Sequence, residues 1–341
     1  MKIPKIEKLP SGSYRCRITI DGRTVSITDD TKEAVEKKAW AYRIGAEKVK
    51  ACDGSLTLYE AISAYIESRK NTLSPSTIRG YKIIRDNQFD SLMGRKISSL
   101  NPLMCQRAVD DQARNYAPKT VANAWRLIHT VIKEYGGEAI NVRLPQKIRN
   151  ERPFLSPEQI PQFLEAIKDT DIEVPALLAL SSLRQSELLA LTYGSIDYKK
   201  KSISVSGAVV RDENNDLIRK SQNKSFSSAR TVPIFIPRLY DLLSKARKNH
   251  KLSDAIVTVT PRVIYGGVNR ACRSIDLPEV GVHGLRHSFA SLAYALDVPE
   301  MVAMQIGGWS DFATMRRIYT HISEKQAKIN VDKLASFFEK S

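Results

Sequence analysis

His283 and Arg286 stand three residues apart in HGLRHSF, a spacing that puts an imidazole and a guanidinium on one face of a helical start. Downstream come Trp309 in GGWS and Tyr319 in YTH. A guanidinium offers fixed donors to an anion, an imidazole moves protons, and a phenol is a nucleophile that can be carried through a covalent ester. The segment between them must bring these groups together. Leu285, Phe289, Leu292 and Leu296 recur at helical spacing, which predicts a packed helix with polar groups at its edges. Val298-Pro299 restarts the chain as a second helix, and Gly307-Gly308 stops it. Ser310-Asp311 is a cap for a third short helix ending near Tyr319. Three short helices then bring His283, Arg286, Trp309 and Tyr319 within reach of one site.

Two upstream segments carry further charged residues of interest. In VPALLALSSLRQSELLAL two apolar helices meet at Ser181-Ser182, and Arg184 opens the second. Residues 202–236 switch to strand character: SISVSGAVV, a polar turn over 212–216, LIRK, the polar SQNKSFSSA, then RTVPIFI.

These segments carry a resemblance. H-x-x-R, then G-W-S, then Y-T-H is similar to the C-terminal signature of the tyrosine recombinases, the phage-type integrases in particular. LRQSEL resembles the family's first box, with Ser182 where glycine is usual, and KSFSSARTVPI resembles its lysine-bearing hairpin. The resemblance implies a mixed α/β catalytic domain and a site-specific recombinase that integrates or excises a mobile element through a 3′-phosphotyrosyl intermediate. It implies Tyr319 as nucleophile and Arg184 and Arg286 as stabilisers of the phosphoryl charge. His283 then assists the nucleophile or orients the phosphate. Lys224 is the matching proton donor to the 5′-oxygen, with Lys220 the alternative if the turn register slips. Trp309, where many members have His, packs beside the phosphate or donates its indole N–H. Glu187 reads as a structural partner of the box, and His287 and His321 as supporting residues. Two other classes use related folds: a type IB topoisomerase, disfavoured by the extra N-terminal module, and a DNA-binding regulator without activity, disfavoured by the complete residue set.

Composition fits a polyanionic partner. The formal charge is +16, with 53 Lys and Arg against 37 Asp and Glu, and the excess holds in each of residues 1–50, 51–153 and 154–341. Cys16, Cys52, Cys105 and Cys272 form no C-x-x-C pair, so reduced thiols in a cytoplasm are expected rather than a zinc site. No apolar run approaches the roughly 18 residues of a membrane span and residues 1–30 do not read as a signal peptide, so membrane attachment is not expected. There is neither a metal-type carboxylate cluster nor a Walker loop, so no cofactor or metal is expected.

The remaining chain divides into supporting modules of an α+β architecture that is mainly helical. In residues 1–53, SYRCRITI alternates as a half-buried strand with Arg15 and Arg17 outward, Asp21-Gly22 turns it, and RTVSIT returns. Asp30 with Glu33 predicts the cap of a following helix through Trp40 and Tyr42 toward Lys50. This module is similar to the arm-type DNA-binding domain of some integrases. Residues 54–140 read as a bundle of four or five helices with starts at Ser74-Pro75, Asn101-Pro102 and Pro118. Arg69, Lys70, Arg79, Lys119 and Arg126 are its candidate phosphate contacts, and His129 sits in an apolar run. Residues 141–153 form a linker, and 154–341 the catalytic domain, opened by a Ser156–Gln159 cap. In the tail 323–341, Ile329, Leu334, Phe337 and Phe338 make an apolar stripe that must be buried, either folded back on its own domain or, the sharper expectation, docked on a neighbouring subunit. The expected partners are therefore double-stranded DNA at core and arm sites, further copies of the chain in a tetramer on DNA, and an excisionase or host DNA-bending protein.

Overall fold

Side-chain caps set several helix starts, and the helices and strands build two compact units. These comprise residues 1–149 with 212–215, and residues 150–211 with 216–341. The structure, a computed structural model, describes residues 5–20, 23–36, 38–40, 54–146, 153–220 and 229–309.

In the first unit, β1 (Glu7–Lys8), β2 (Tyr14–Ile20) and β3 (Arg23–Asp29) form an antiparallel sheet in sequence order. Ile20 pairs with Arg23 at the end of the β2–β3 ladder, and the turn predicted at Asp21-Gly22 lies outside the described residues. Cys16 and Ile18 are buried with Val35 and Ala39, while Arg17 and Thr19 face solvent as predicted; Arg15, also expected outward, is half-buried and donates to Glu7 at 3.4 Å. The helix start differs: Thr31, not Asp30, accepts the backbone N–H of Ala34, and Asp29 accepts that of Asp30. A threonine at that position satisfies the orphan donor one residue later than expected. The helix is described over 32–36 and 38–40; its predicted continuation toward Lys50 lies outside the described residues.

The bundle follows. Its long helices are α1 (Leu58–Ser68), α2 (Pro75–Asn87), α4 (Pro102–Asn115) and α5 (Pro118–Glu134), with the one-turn α3 (Asp90–Met93) between the second and third. Thr57 and Glu60 form a reciprocal capping box on α1, and Ser74 and Asn101 cap the next two long helices ahead of a proline in the first turn. Ile62, Ile128, Val131 and Trp125 meet in one core, and each such side chain contributes about 1.5–3 kcal/mol of burial. His129 is half-buried on α5.

The second unit begins with α6 (Gln159–Ile167), where the Gln159 side chain accepts from the backbone of Ser156, then α7 (Glu173–Leu180) and the one-turn α8 (Gln185–Leu188). β4 (Ile196–Asp197), β5 (Ser202–Val205) and β8 (Arg230–Pro233) make one antiparallel sheet in that order, and β6 (Ala208–Arg211) with β7 (Leu217–Lys220) a separate ribbon. The single strand expected over SISVSGAVV is thus two strands in different sheets, broken at Ser206-Gly207. Lys220 pairs with Ala208 in the ribbon.

Three helices, α9 (Pro237–Arg247), α10 (Pro261–Ser274) and α11 (Gly281–Ala295), surround the apolar α7, and α12 (Glu300–Gly307) closes the described chain. Leu285 and Phe289 of α11 are buried, but Leu296 ends the helix and is 66% exposed. The apolar period at Leu296 outruns the packed face by one turn. Among the described residues no helix is long and apolar enough to cross a membrane.

Candidate active site

The site starts from a turn. α7 ends where the Ser181 hydroxyl donates back to the carbonyl of Leu177 at 2.9 Å, and Ser182 then adopts φ 71°, the left-handed region. That reversal sends Leu183 into the core and leaves Arg184 at the N-cap of α8 with an extended backbone. Glu187, one turn on, accepts the backbone N–H of Arg184 at 2.9 Å and its Nη1 at 2.6 Å. Arg184 Nη2 donates to the carbonyl of Gly308 at 2.8 Å, and the side chain remains 37% exposed.

Arg286 enters from the second turn of α11 and is 2% exposed. Its Nη1 donates to the carbonyl of Ser182, and its guanidinium lies 4.5 Å from the centre of the Trp309 ring, a cation–π contact. Trp309 in turn stacks on Phe289 at 6.1 Å and 21°. The two glycines before it are needed for this approach. A Cβ at Gly307 would stand 2.2 Å from the indole, and Gly308, at φ 62°, would meet Arg230 at 2.9 Å.

Arg230, at the head of β8, completes the cluster from a third segment. Its Nη1 and Nη2 donate to Glu187 at 3.1 and 2.9 Å, its Nε to the carbonyl of Ile306 at 3.0 Å, and Nη2 also to Ser182 at 3.4 Å. Three guanidiniums thus gather around one carboxylate, which leaves the site strongly positive. Burial pushes the Arg286 pKa down to about 9, with the positive charge of Arg184 and, less, Arg230 acting the same way and Glu187 opposing them. Burial alone would raise the Glu187 carboxyl, but the Arg230 hydrogen bonds and charge hold it below the usual range.

Of the residues singled out in the sequence, the structure brings Arg184, Arg286 and Trp309 together. His283 lies on the same helix as Arg286, exposed, and meets His287 edge-on at 4.5 Å. Lys224, Tyr319 and His321 lie outside the described residues. Arg230 is the member the sequence reading left without a role. Its signal was its phase: in RTVPI it alternates with the buried Val232 and Ile234, so its side chain points inward. Among the described residues no group of three or more His, Cys, Asp or Glu is placed to hold a metal ion. The three cysteines described are buried and form no disulfide with one another, and burial pushes the Cys105 thiol up to about 11.

The chain is similar to several known proteins. A tyrosine recombinase XerC-like protein of Caldanaerobacter subterraneus subsp. tengcongensis is 28% identical over 220 residues, covering 57% of this chain and 56% of that protein. The prophage integrase IntF of Escherichia coli K12 is 23% identical over 262 residues, 67% of this chain and 51% of that one. The chain therefore spans about half the length of the curated relatives it matches. Among solved structures, the Tn1549 transposon integrase in complex with transposon right end DNA matches with a TM-score of 0.65 at 19% identity, over 82% of this chain and 100% of that one. A lambda integrase dimer bound to a COC′ core site matches at 0.52 and 13% identity, over 92% and 94%. At such identities the structural likeness establishes the fold alone. The pattern of the phage integrase family matches residues 153–326, just over half of the chain and the whole of the arginine cluster, and the chain belongs to that family.

Proposed function

We propose that the chain is a tyrosine-type site-specific recombinase, an integrase that cuts and rejoins DNA to move a mobile element. The observation that carries this reading is the buried Arg286. Its charge is held next to two further guanidiniums, with a neutral carbonyl and an indole face as its nearest partners. A phosphodiester entering beside Arg184 and Arg286 would offset that cost and receive paired donors on its non-bridging oxygens.

The chemistry then balances as a transesterification. The Tyr319 oxygen attacks phosphorus, the bond to the 5′-oxygen breaks, and a 3′-phosphotyrosyl ester stores the linkage for rejoining. His283 assists removal of the phenol proton or orients the phosphate, Lys224 protonates the leaving 5′-oxygen, and Trp309 walls the phosphate. The net charge of +16 supports DNA as substrate, and the relatives solved with DNA support it further. The same reading assigns residues 1–53, with Arg17 outward on β2, to arm sites, 54–140 to core sites, 141–153 to a linker and 154–341 to catalysis. It assigns the tail 323–341 to assembly of a tetramer on DNA, which truncation after Ile322 tests by loss of synaptic complexes with single-site binding retained. An excisionase or host DNA-bending protein completes the partner set, tested by whether either changes the ratio of integration to excision.

The deciding experiment uses nicked duplexes tiled across the DNA that flanks the gene. The wild type should trap a covalent protein–DNA adduct that persists in excess EDTA, and Tyr319→Phe should bind the same duplex without the adduct. An adduct with Tyr319→Phe, or strict dependence on an added divalent ion, would overturn the assignment. Relaxation of supercoiled plasmid without two-site recombination would point instead to a topoisomerase.

A further inference from the structure

All three nitrogens of Arg230 donate to protein acceptors, and each acceptor belongs to an element that holds a side chain of the proposed cleavage site. The Ser182 carbonyl also receives Arg286. The Glu187 carboxylate also receives Arg184. Ile306 lies in the last turn of α12, two residues before the Gly308 carbonyl that holds Arg184 and three before Trp309, whose ring covers Arg286. The Arg230 side chain is 6% exposed, so water does not replace these bonds when one is lost.

The charge arrangement adds a second role. Both oxygens of Glu187 are shared, each receiving one donor from Arg184 and one from Arg230. A carboxylate divided in this way does not neutralise Arg184, which keeps charge to place on an incoming phosphate. Without Arg230, Glu187 would pair with Arg184 alone. We infer that Arg230 is a positioning residue for strand cleavage: it shares Glu187 with Arg184 and fixes the end of α12 so that Trp309 covers Arg286. This rests on the recombinase reading, and its test is built to separate the two.

The full-length chain labelled with 5-fluorotryptophan gives three ¹⁹F resonances, from Trp40, Trp125 and Trp309, the last assigned with Trp309→Phe. In Arg230→Met the Trp309 resonance should move while those of Trp40 and Trp125 stay. Single-turnover cleavage on the trapped duplex should slow by about 100-fold with duplex affinity within about threefold, since the loss falls on transition-state charge. Adding Glu187→Gln to Arg230→Met should restore about tenfold of that rate, because the surplus carboxylate is gone. Arg230→Lys, which keeps the charge but not the planar fork, should lie between, and it carries the test if Arg230→Met does not fold. Cleavage within about threefold of wild type in Arg230→Met would overturn the inference, whatever the resonance does. So would a rate loss that Glu187→Gln leaves unrelieved, which marks a purely structural residue. If the wild type forms no adduct, the recombinase reading falls, and an unmoved Trp309 resonance in the Arg230 variants then overturns the positioning role independently.

Discussion

The two units each contain an arginine–glutamate pair that closes a long stretch of chain. In the bundle, Arg69 Nη2 donates to both oxygens of Glu134 at 2.9 and 2.7 Å, and its guanidinium lies over the Tyr65 ring at 3.8 Å. In the second unit, Arg230 donates to both oxygens of Glu187 at 3.1 and 2.9 Å. The chemistry is the same and the setting is opposite: Arg69 and Glu134 are 31% and 40% exposed, Arg230 and Glu187 6% and 4%. Water can replace either partner of the first pair. In the second, the carboxylate is the counter-charge of three guanidiniums, so its removal exposes a repulsion that solvent cannot screen. Burial therefore converts an ordinary surface contact into the frame of a site, at a standing cost that an adhesive core would avoid.

The largest test of this contrast is deletion of each carboxylate. Glu187→Ala should destabilise the second unit by about 3–5 kcal/mol, as expected for breaking a buried charge network. Glu134→Ala should cost the bundle no more than about 1 kcal/mol. Urea unfolding can be followed separately through fluorotryptophan signals, with Trp125 reporting the bundle core and Trp309 the second unit. Equal losses in the two variants would remove the distinction.

Arg286→Met sharpens the same point from the cationic side. Cleavage should fall by about 10²–10³-fold through loss of a preorganised donor. Stability at pH 8 should hold or rise, because a buried charge is replaced by a side chain of similar volume. The pH dependence follows from the depressed pKa of about 9. Above that pH the folded Arg286 begins to lose its proton while the unfolded chain still binds it, so the unfolded state holds more protons and stability rises with pH. The penalty is full below about 9 and declines above it, so any stability advantage of Arg286→Met should shrink between pH 8 and 10.5. An advantage constant over that range would mean that Arg286 is not strained by its charge.

What could be read from the sequence divides along the same line of local against distant. Two starts of the bundle helices were legible because a capping residue precedes a proline in the first turn, at Ser74-Pro75 and Asn101-Pro102, whereas the capping box of Thr57 and Glu60 went unread. Two local readings still missed. The cap near residue 30 slipped by one because two acidic residues and a threonine compete there, and the strand over 202–210 concealed a change of sheet, since β5 pairs with β8 and β6 with β7. Arg184, Arg286 and Trp309 were identified by motif, but their burial was not, because it depends on partners up to 124 residues away. The role of Arg230 was hidden for the same reason: its phase in the strand says inward, and only the tertiary fold says toward what.

Ser182 offers a smaller test within the site. It is a buried non-glycine residue at φ 71°, in a box where the family pattern has glycine, and its hydroxyl finds no hydrogen-bond partner. Ser182→Gly should relieve left-handed strain and an unsatisfied polar group, raising stability of the second unit by about 1 kcal/mol. Because the Ser182 carbonyl that receives Arg286 is kept, cleavage should change little. Lower stability would show that the hydroxyl is doing work the geometry does not reveal.

The smallest expected effect is also the most direct reading of the contrast, the salt dependence of each pair. Between about 0.1 and 1 M salt the screening length falls from about 10 to 3 Å, close to the separation of paired charges. For the solvent-bathed pair, a double-mutant cycle of Arg69→Met and Glu134→Gln should give a coupling of about 0.2–1 kcal/mol that declines toward zero at the higher salt. Counter-ions cannot enter between Arg230 and Glu187, so the cycle of Arg230→Met and Glu187→Gln should give a coupling that salt barely moves. Each cycle subtracts the single-variant effects, so helix propensity and packing losses cancel and only the pairwise term remains. A buried coupling that falls with salt in parallel with the exposed one would mean that ions reach the arginine cluster, and the site would then be open to solvent in a way that 6% and 4% exposure does not allow.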